Sequence, residues 1–538
     1  MEAQFEFYRN ECSTGTNAGA EGKCTYTKNS PQSELMSNLN SQLCCRLRLL
    51  VPLLLALSFA PWLVSGQQGA AAPGVLAASA CKECIRAHME FLASDALRGR
   101  GSATNDELAA ANYIAYQLKK YGIPAAGDQG DYLQQVPLTS RKLSAPPLMM
   151  FSIAGSPPPA TGGKAAPATG ISWVHGKEIL VLRITQPNVV GPLQKIETIS
   201  EIGLPAVNRG AIVLFSGTDA SDSRRRRTLA SQLARAGAAA VLFPETRETR
   251  SRWSELAVRL PEFPLQFDDL KDSAMLPRAT IVILSTQAAI TMASAAEGTT
   301  IKIQARPEAA DKLWTRNVVA KLQGADPRLG AEVILLSAHL DHIGIGPSVN
   351  GDNIYNGADD DASGVTAVLE IARALVAGPR PKRTVIFALF GSEERGGLGS
   401  TYFRERPPVP LQCIVANLEF EMIGRPDPAL PAHELWLTGY ERSNLGPELT
   451  SHGAPLVADP HREQEFFQRS DNYILARKGV VAHTISSFGL HKDYHQPSDD
   501  LAHIDFNHLV WAIEGMIRPV EWLVNSEFKP QWLPGKKP

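Results

Sequence analysis

An excess of charge of either sign is missing from this chain. Its 53 Lys and Arg stand against 55 Asp and Glu, a formal net charge of −2. A balance that close excludes an overall basic nucleic-acid binder and an acidic disordered chain. Cysteine is scarce, with 7 in 538 residues, and Cys12, Cys24, Cys44 and Cys45 all precede the first hydrophobic run. Only Cys81, Cys84 and Cys413 lie beyond it, which excludes a disulfide scaffold. The run LLVPLLLALSFAPWLV at 49–64 is short of the roughly 20 apolar residues of a spanning helix and contains Pro52 and Pro61. Also lacking are a Gly-rich phosphate loop, a G-x-S-x-G elbow and an H-E-x-x-H helix. Gly and Pro are plentiful but aperiodic, so collagen-like and simple repeat architectures are excluded.

What is present suits a globular protein of two or three domains, with 44% apolar residues to build cores. Arg46 and Arg48 precede the apolar run, and Val64-Ser65-Gly66 supplies small residues after it. That is the order of a secretory signal, so residues 1–66 read as leader and signal peptide, with Met36 as a possible true start. The expected product is secreted or periplasmic and begins near Gln67, without stable membrane insertion. Residues 67–83 read as a linker. Helical spacing then fills 84–122, with Gly122 as a helix stop.

Residues 155–170 are rich in Gly, Pro and Ala, and short β-like runs with one amphipathic helix, TLASQLARAG, follow. This pattern predicts a smaller α/β module at 166–300, inserted between residues 84–165 and 301–538 of a larger domain. Strands alternate with helices from Asn317 onward, which predicts an α/β fold with a mostly parallel central sheet flanked by helices. Arg224–Arg227 reads as a solvated loop or helix start, and Cys81-x-x-Cys84 as a local disulfide or two idle thiols.

The chemistry-bearing residues follow strand runs. VILLSAHLDH ends in His339, Asp341 and His342. YNGADDDASG sets Asp359, Asp360 and Asp361 before a helix, and TVIFALF runs into Glu393 and Glu394. CIVANLEFEMIG carries Glu419 and Glu421, and GVVAHTISSFG precedes Tyr494 and His495. Ligands of open α/β sheets bind beyond the carboxyl ends of strands. Three adjacent carboxylates in apolar surroundings require a compensating cation. Asp341 falls on the same face as His339 and is placed to accept its spare N–H. A mixture of His and carboxylate suits zinc, and such a site can hold two metals that share one Asp.

At these residues the sequence resembles the secreted di-zinc aminopeptidases, in the group that also includes glutamate carboxypeptidase and the glutaminyl cyclases. The segments that carry the resemblance are AHLDH, NGADDDASG, GSEERGGLGS, NLEFEMIG and DYHQPSDD. The insert resembles a protease-associated domain through QLARAGAAAVLF. The resemblance implies two Zn2+ per chain, with His339 on one, His495 on the other and Asp360 bridging. Glu394 would join Asp360 and His495, and Glu421 would join Asp360 and His339. Many members carry Asp where this chain has Glu421. Glu393 matches the general base, Tyr494 a residue that polarises the scissile carbonyl, and Asp471 an acidic residue near the site.

The implied activity is hydrolysis of N-terminal residues from peptides through a zinc-bridging hydroxide, with no nucleic-acid partner. A carboxypeptidase or a glutaminyl cyclase keeps the fold and changes the bond, and a cyclase would hold one zinc. A receptor-like binding protein on the same fold would tolerate loss of ligands, whereas all five ligand positions and Glu393 are competent here.

Overall fold

The computed structural model describes residues 79–153, 169–198, 206–220, 223–270 and 277–538. The leader and signal peptide expected at 1–66, Met36 and most of the linker fall outside the described residues. Among the described residues, no helix is long and apolar enough to cross a membrane.

Uninterrupted apolar runs build the centre of the larger sheet. Val333–His339 and Thr384–Phe390 are buried at every position, as strands covered on both faces must be. They pair in parallel, and Ile414–Phe420 and Val481–Ser486 continue the parallel set on the far side of Val333–His339. These central four strands are parallel, and a further parallel pair, Leu435–Leu437 with Leu456–Ala458, lies at one edge. The flanks of the nine-stranded sheet bring antiparallel pairings: Asp311–Leu322 beside Thr384–Phe390, Leu133–Ser140 beyond it, and Leu435–Leu437 beside Val481–Ser486.

Side chains alternate between two cores. Ile334 and Leu336 face one with Val365, Val368 and Leu369 of the helix Gly364–Ala377. Val333 and Leu335 face the other with Phe403 and Leu475. The helix Asn105–Lys120 opens on a Thr104 cap and ends before Gly122, whose φ of +78° suits a residue without Cβ. Lys82–Leu92 begins one residue after Cys81, inside the expected linker, and a Cys81–Cys84 disulfide spans its first turn.

The second sheet has eight strands and its own cores on both faces. Its first strand is Leu143–Ile153, so residues 143–165 do not all belong with the larger domain as expected. The alternating run around PLMMFSI pairs with Thr300–Pro307 on one side and Thr169–Val174 on the other. The Gly/Pro/Ala-rich stretch thus falls between neighbouring strands of one sheet instead of between domains. Ser223–Ala236 is the amphipathic helix, with Leu229 and Leu233 buried. Gln266–Phe267 returns to pair with Leu138 and Thr139 of the larger sheet. The described residues pack as one unit.

Candidate metal centre

The carboxyl ends of the central strands deliver the titratable residues to one edge. His339 ends its strand, Glu393 and Glu394 follow Phe390 within four residues, and Glu421 follows Phe420 directly. Asp360 comes from the segment that leads into Gly364–Ala377. The Asp360 Oδ1 lies 3.0 Å from His339 Nε2, and its Oδ2 lies 3.2 Å from His495 Nε2. Glu394 Oε2 is also 3.2 Å from His495 Nε2. His339, Asp360 and Glu421 each bring one ligand atom within 4.8 Å of the others, as do His342, Asp360 and Glu394. Two three-residue groups therefore share one carboxylate.

The Asp triplet is sorted by its hydrogen bonds. Asp361 accepts the backbone N–H groups of His339, Gly364 and Met422. Asp359 accepts the Gly424 N–H at 2.7 Å and faces His491 Nε2 at 3.0 Å. Those bonds commit both flanking carboxylates and leave the middle one to face the histidines. The Asp499 carboxylate accepts the N–H groups of Asp359 and Asp360 and fixes the segment from the other side.

Asp341 differs from its expected role. The carbonyl oxygen of Asp341, not its carboxylate, lies 3.1 Å from His339 Nδ1. The carboxylate oxygen is 3.8 Å away. It accepts instead from Ser102 Oγ at 2.5 Å and from the backbone N–H groups of Glu393 and Glu394 at 2.9 and 3.4 Å. Asp341 thus aims the two glutamates as well as the imidazole. Tyr494 stacks on His495 with ring centroids 3.9 Å apart. Asp471 opens a short helix and accepts from Ser400 Oγ, and burial pushes it up to about 7. Burial, and then the neighbouring Asp471, Glu394 and Glu421 carboxylates against His339, holds Glu393 well above the ordinary carboxylate range.

Three contributors escaped the sequence reading. His342 stood in the quoted run without a role, yet it is fully buried with its Nδ1 2.9 Å from Glu394 Oε1. Its place three residues after His339, just beyond an apolar strand run, is the sequence signal that marks it. Arg100 is buried and donates to the carbonyls of Leu92, Leu340, Asn356 and Gly357. Glu107 accepts from Thr315 Oγ1 and the Ser392 N–H, and burial pushes it up to about 8.

The donor set fits a pair of metal ions. His342 Nε2 is buried without a partner, and His339 Nε2, His342 Nδ1 and Glu394 Oε1 are buried with only the ion-pair contacts inside the cluster. Buried imidazole and carboxylate atoms in that condition carry an uncompensated desolvation cost that a cation removes. Mixed N and O donors are the zinc preference.

Residues 317–518 match the model of peptidase family M28. The matched region holds every one of the metal-facing residues. The chain is 34% identical over 131 residues to the probable lipoprotein aminopeptidase LpqL of Mycobacterium tuberculosis, covering 24% of this chain and 23% of that one. It is 38% identical over 117 residues to an aminopeptidase of Pseudomonas aeruginosa, covering 22% and 19%. The match thus spans about a fifth to a quarter of these curated relatives. Among solved structures, the aminopeptidase from Aneurinibacillus sp. strain AM-1 aligns with a TM-score of 0.49 at 19% identity, over 83% of this chain and 94% of that one. The zinc aminopeptidase BSAP from Bacillus subtilis aligns with a TM-score of 0.46 at 18% identity, over 83% and 96%.

Proposed function

We propose that this chain is an exported metallo-aminopeptidase that holds two zinc ions and removes N-terminal residues from peptides. The observation that carries the reading is Asp360, whose two oxygens face different histidines in a buried cluster beside an uncommitted glutamate. His339 and Glu421 would hold one ion, His495 and Glu394 the other, with Asp360 between them. His342 Nδ1 is a further donor on the second side. When bound, the ions supply Lewis acidity to water and to the scissile carbonyl.

The chain's own residues do the rest. Glu393 takes a proton from the attacking water and passes it to the leaving amine, a role its elevated affinity for protons suits. Its backbone N–H is held by Asp341, which fixes the point from which the side chain leaves the loop. Tyr494, braced on His495, donates its Oη hydrogen toward the carbonyl oxygen. A small cavity next to Asp360 and Glu421 is walled by Met422, Trp436, Phe466 and Phe488 and takes an apolar N-terminal side chain. The second-sheet module acts as a lid that borders the site. Export is supported by the basic-flanked apolar run at 49–64 and by one relative described as a probable lipoprotein aminopeptidase.

The test is zinc content of the purified protein, with cleavage of leucyl-anilide, of free peptides and of N-acetylated peptides. Two zinc ions per chain and cleavage that requires a free amino terminus are expected. Release of C-terminal residues from N-acetylated peptides would replace this reading with a carboxypeptidase.

A further inference from the structure

The metal centre opens into a cleft of about 700 Å3 between the two sheets, and seven arginines line it against four glutamates. Two of the glutamates serve the metal centre and two have partners of their own. Glu393 and Glu394 belong to the metal centre, Glu262 pairs with Arg395 at 2.9 Å, and Glu465 accepts from Gln232. Arg259 is paired with Glu255. Among the described residues, Arg183, Arg227, Arg278 and Arg469 make no ion pair with any carboxylate.

Their placement is specific. Arg183 ends a strand of the second sheet, and Arg227, the last of the arginine run expected as a solvated loop or helix start, lies in the first turns of Ser223–Ala236. Its neighbour Arg226 is buried and donates to Thr246, so the run divides its work between packing and the cleft. Arg278 donates to the carbonyl oxygen of Arg395, directly after the two glutamates. A Cβ at Gly396 would overlap the Arg278 guanidinium, so glycine there admits the arginine to the catalytic loop. Arg469 lies 4.8 Å over the Phe466 ring, at the boundary with the smaller cavity. Burial, and then Arg183 and Arg395 against the Glu393 carboxylate, pull Arg278 down to about 10.

We propose that this cleft is a subsite for substrate carboxylates. The substrates it favours carry an Asp or Glu side chain downstream of the cleaved bond, or are short enough that their C-terminal carboxylate reaches it. The inference rests on the aminopeptidase reading for its polarity. The apolar cavity takes the N-terminal side chain, so the remainder of the peptide leaves through the arginine cleft. Guanidinium suits this ligand because its planar fork meets a carboxylate through two parallel hydrogen bonds.

The experiment measures binding first, so that it does not depend on turnover. Zinc-loaded Glu393→Gln protein is titrated with four peptides that share an N-terminal Leu and the same length. One is neutral and amidated, one is amidated with Glu at the third and fourth positions, one is neutral with a free C-terminus, and one is amidated with Lys at those positions. The Glu peptide or the free-carboxylate peptide is expected to bind at least about tenfold tighter than the neutral amide, the effect of one charge-assisted pair. Which of the two gains distinguishes side chain from terminus.

The gain is expected to vanish in Arg183→Gln/Arg227→Gln, and Arg183→Glu/Arg227→Glu is expected to bind the Lys peptide better than the Glu peptide. Arg278→Gln is a second probe, with its folding checked by circular dichroism. Equal binding of all four peptides, or a Glu preference unchanged in the double variants, would overturn the subsite. Unmutated enzyme that binds acidic peptides yet cleaves none of them would overturn the aminopeptidase reading and leave the subsite standing.

Discussion

Replacing Arg100 by Met separates the scaffold of the metal centre from its chemistry. The Arg100 side chain is almost fully buried and donates to four carbonyl oxygens: Leu92 and Asn356 at 2.6 Å, Leu340 and Gly357 at 3.0 Å. Leu340 lies between His339 and the Asp341–His342 pair, and Gly357 stands three residues before Asp360, so one guanidinium joins both metal-bearing segments. Met has similar length and no donor. Its position keeps the same φ of +50°, so backbone strain is unchanged for either L residue. Each hydrogen bond from a charged donor contributes about 1.5–3 kcal/mol net. Removing the desolvation cost of the guanidinium offsets part of that loss, while the nearby Asp341, Asp360, Asp361 and Asp499 lose a compensating charge. The balance is a destabilisation of about 3–5 kcal/mol, the range for removing one partner from a buried charged network. Thermal and urea unfolding of metal-free protein measures it directly, and zinc competition with a chromophoric chelator measures the loosened site. Arg100→Lys, with fewer donors but the same charge, is expected to fall between the two proteins. A loss below about 1 kcal/mol for the Met variant would refute the account of these four bonds as the scaffold.

Glu393→Gln is expected to keep its zinc and lose turnover by roughly 10²–10⁴, the usual general-base contribution. Glu394→Ala is expected to lose zinc instead, and elemental analysis with steady-state kinetics reads both; the opposite pattern would exchange the two roles. Chelation is expected to lower the melting temperature of the unmutated protein, because zinc at about a hundred times its Kd contributes about 2.7 kcal/mol; an unchanged melting temperature would argue against metal-compensated carboxylates. His483 is buried between Ser443 Oγ and the Thr438 carbonyl, and burial lowers it to about 4. Because the folded value lies below the ordinary 6.5, its contribution is complete above that pH, falls as acid is added and is lost below about 4. From pH 6.5 to pH 5 the loss is about 2 kcal/mol. Urea unfolding of His483→Gln is expected to show a pH dependence smaller by that amount, and identical slopes would count against a neutral buried imidazole.

The strands that carry the site were legible because their composition leaves little choice. VILLSAH and TVIFALF are apolar at nearly every position, and such runs can only be buried on both faces, so the residues that follow them reach a sheet edge. The helix after the Asp triplet was legible through the spacing of Val365, Val368, Leu369, Ala372 and Leu375, all of them buried. The start of the second sheet was not legible. A Gly/Pro/Ala-rich stretch marks a break in regular structure but says nothing about whether its two flanks belong to one sheet. The pairing of Leu143–Ile153 with Thr300–Pro307 depends on residues about 150 positions apart, and no local pattern encodes it.

By itself the sequence determined which residue types would meet: imidazoles and carboxylates at strand ends, with an acidic triplet before a helix. Resemblance singled out Asp360 within that triplet. Tertiary structure alone supplied the reason, since the backbone N–H groups of His339, Met422 and Gly424 engage Asp359 and Asp361 and leave Asp360 facing the histidines. It also decided that Asp341 holds the glutamates by their N–H groups while its carbonyl meets His339. Arg100 lies 240 positions from Leu340, and the arginines of the cleft come from segments as far apart in sequence as Arg183 and Arg469. Hydrogen bonds and charge act over a few ångströms of space. Local sequence constrains such distances only within a strand or a helical turn, so these partners were settled where the chain folds back on itself.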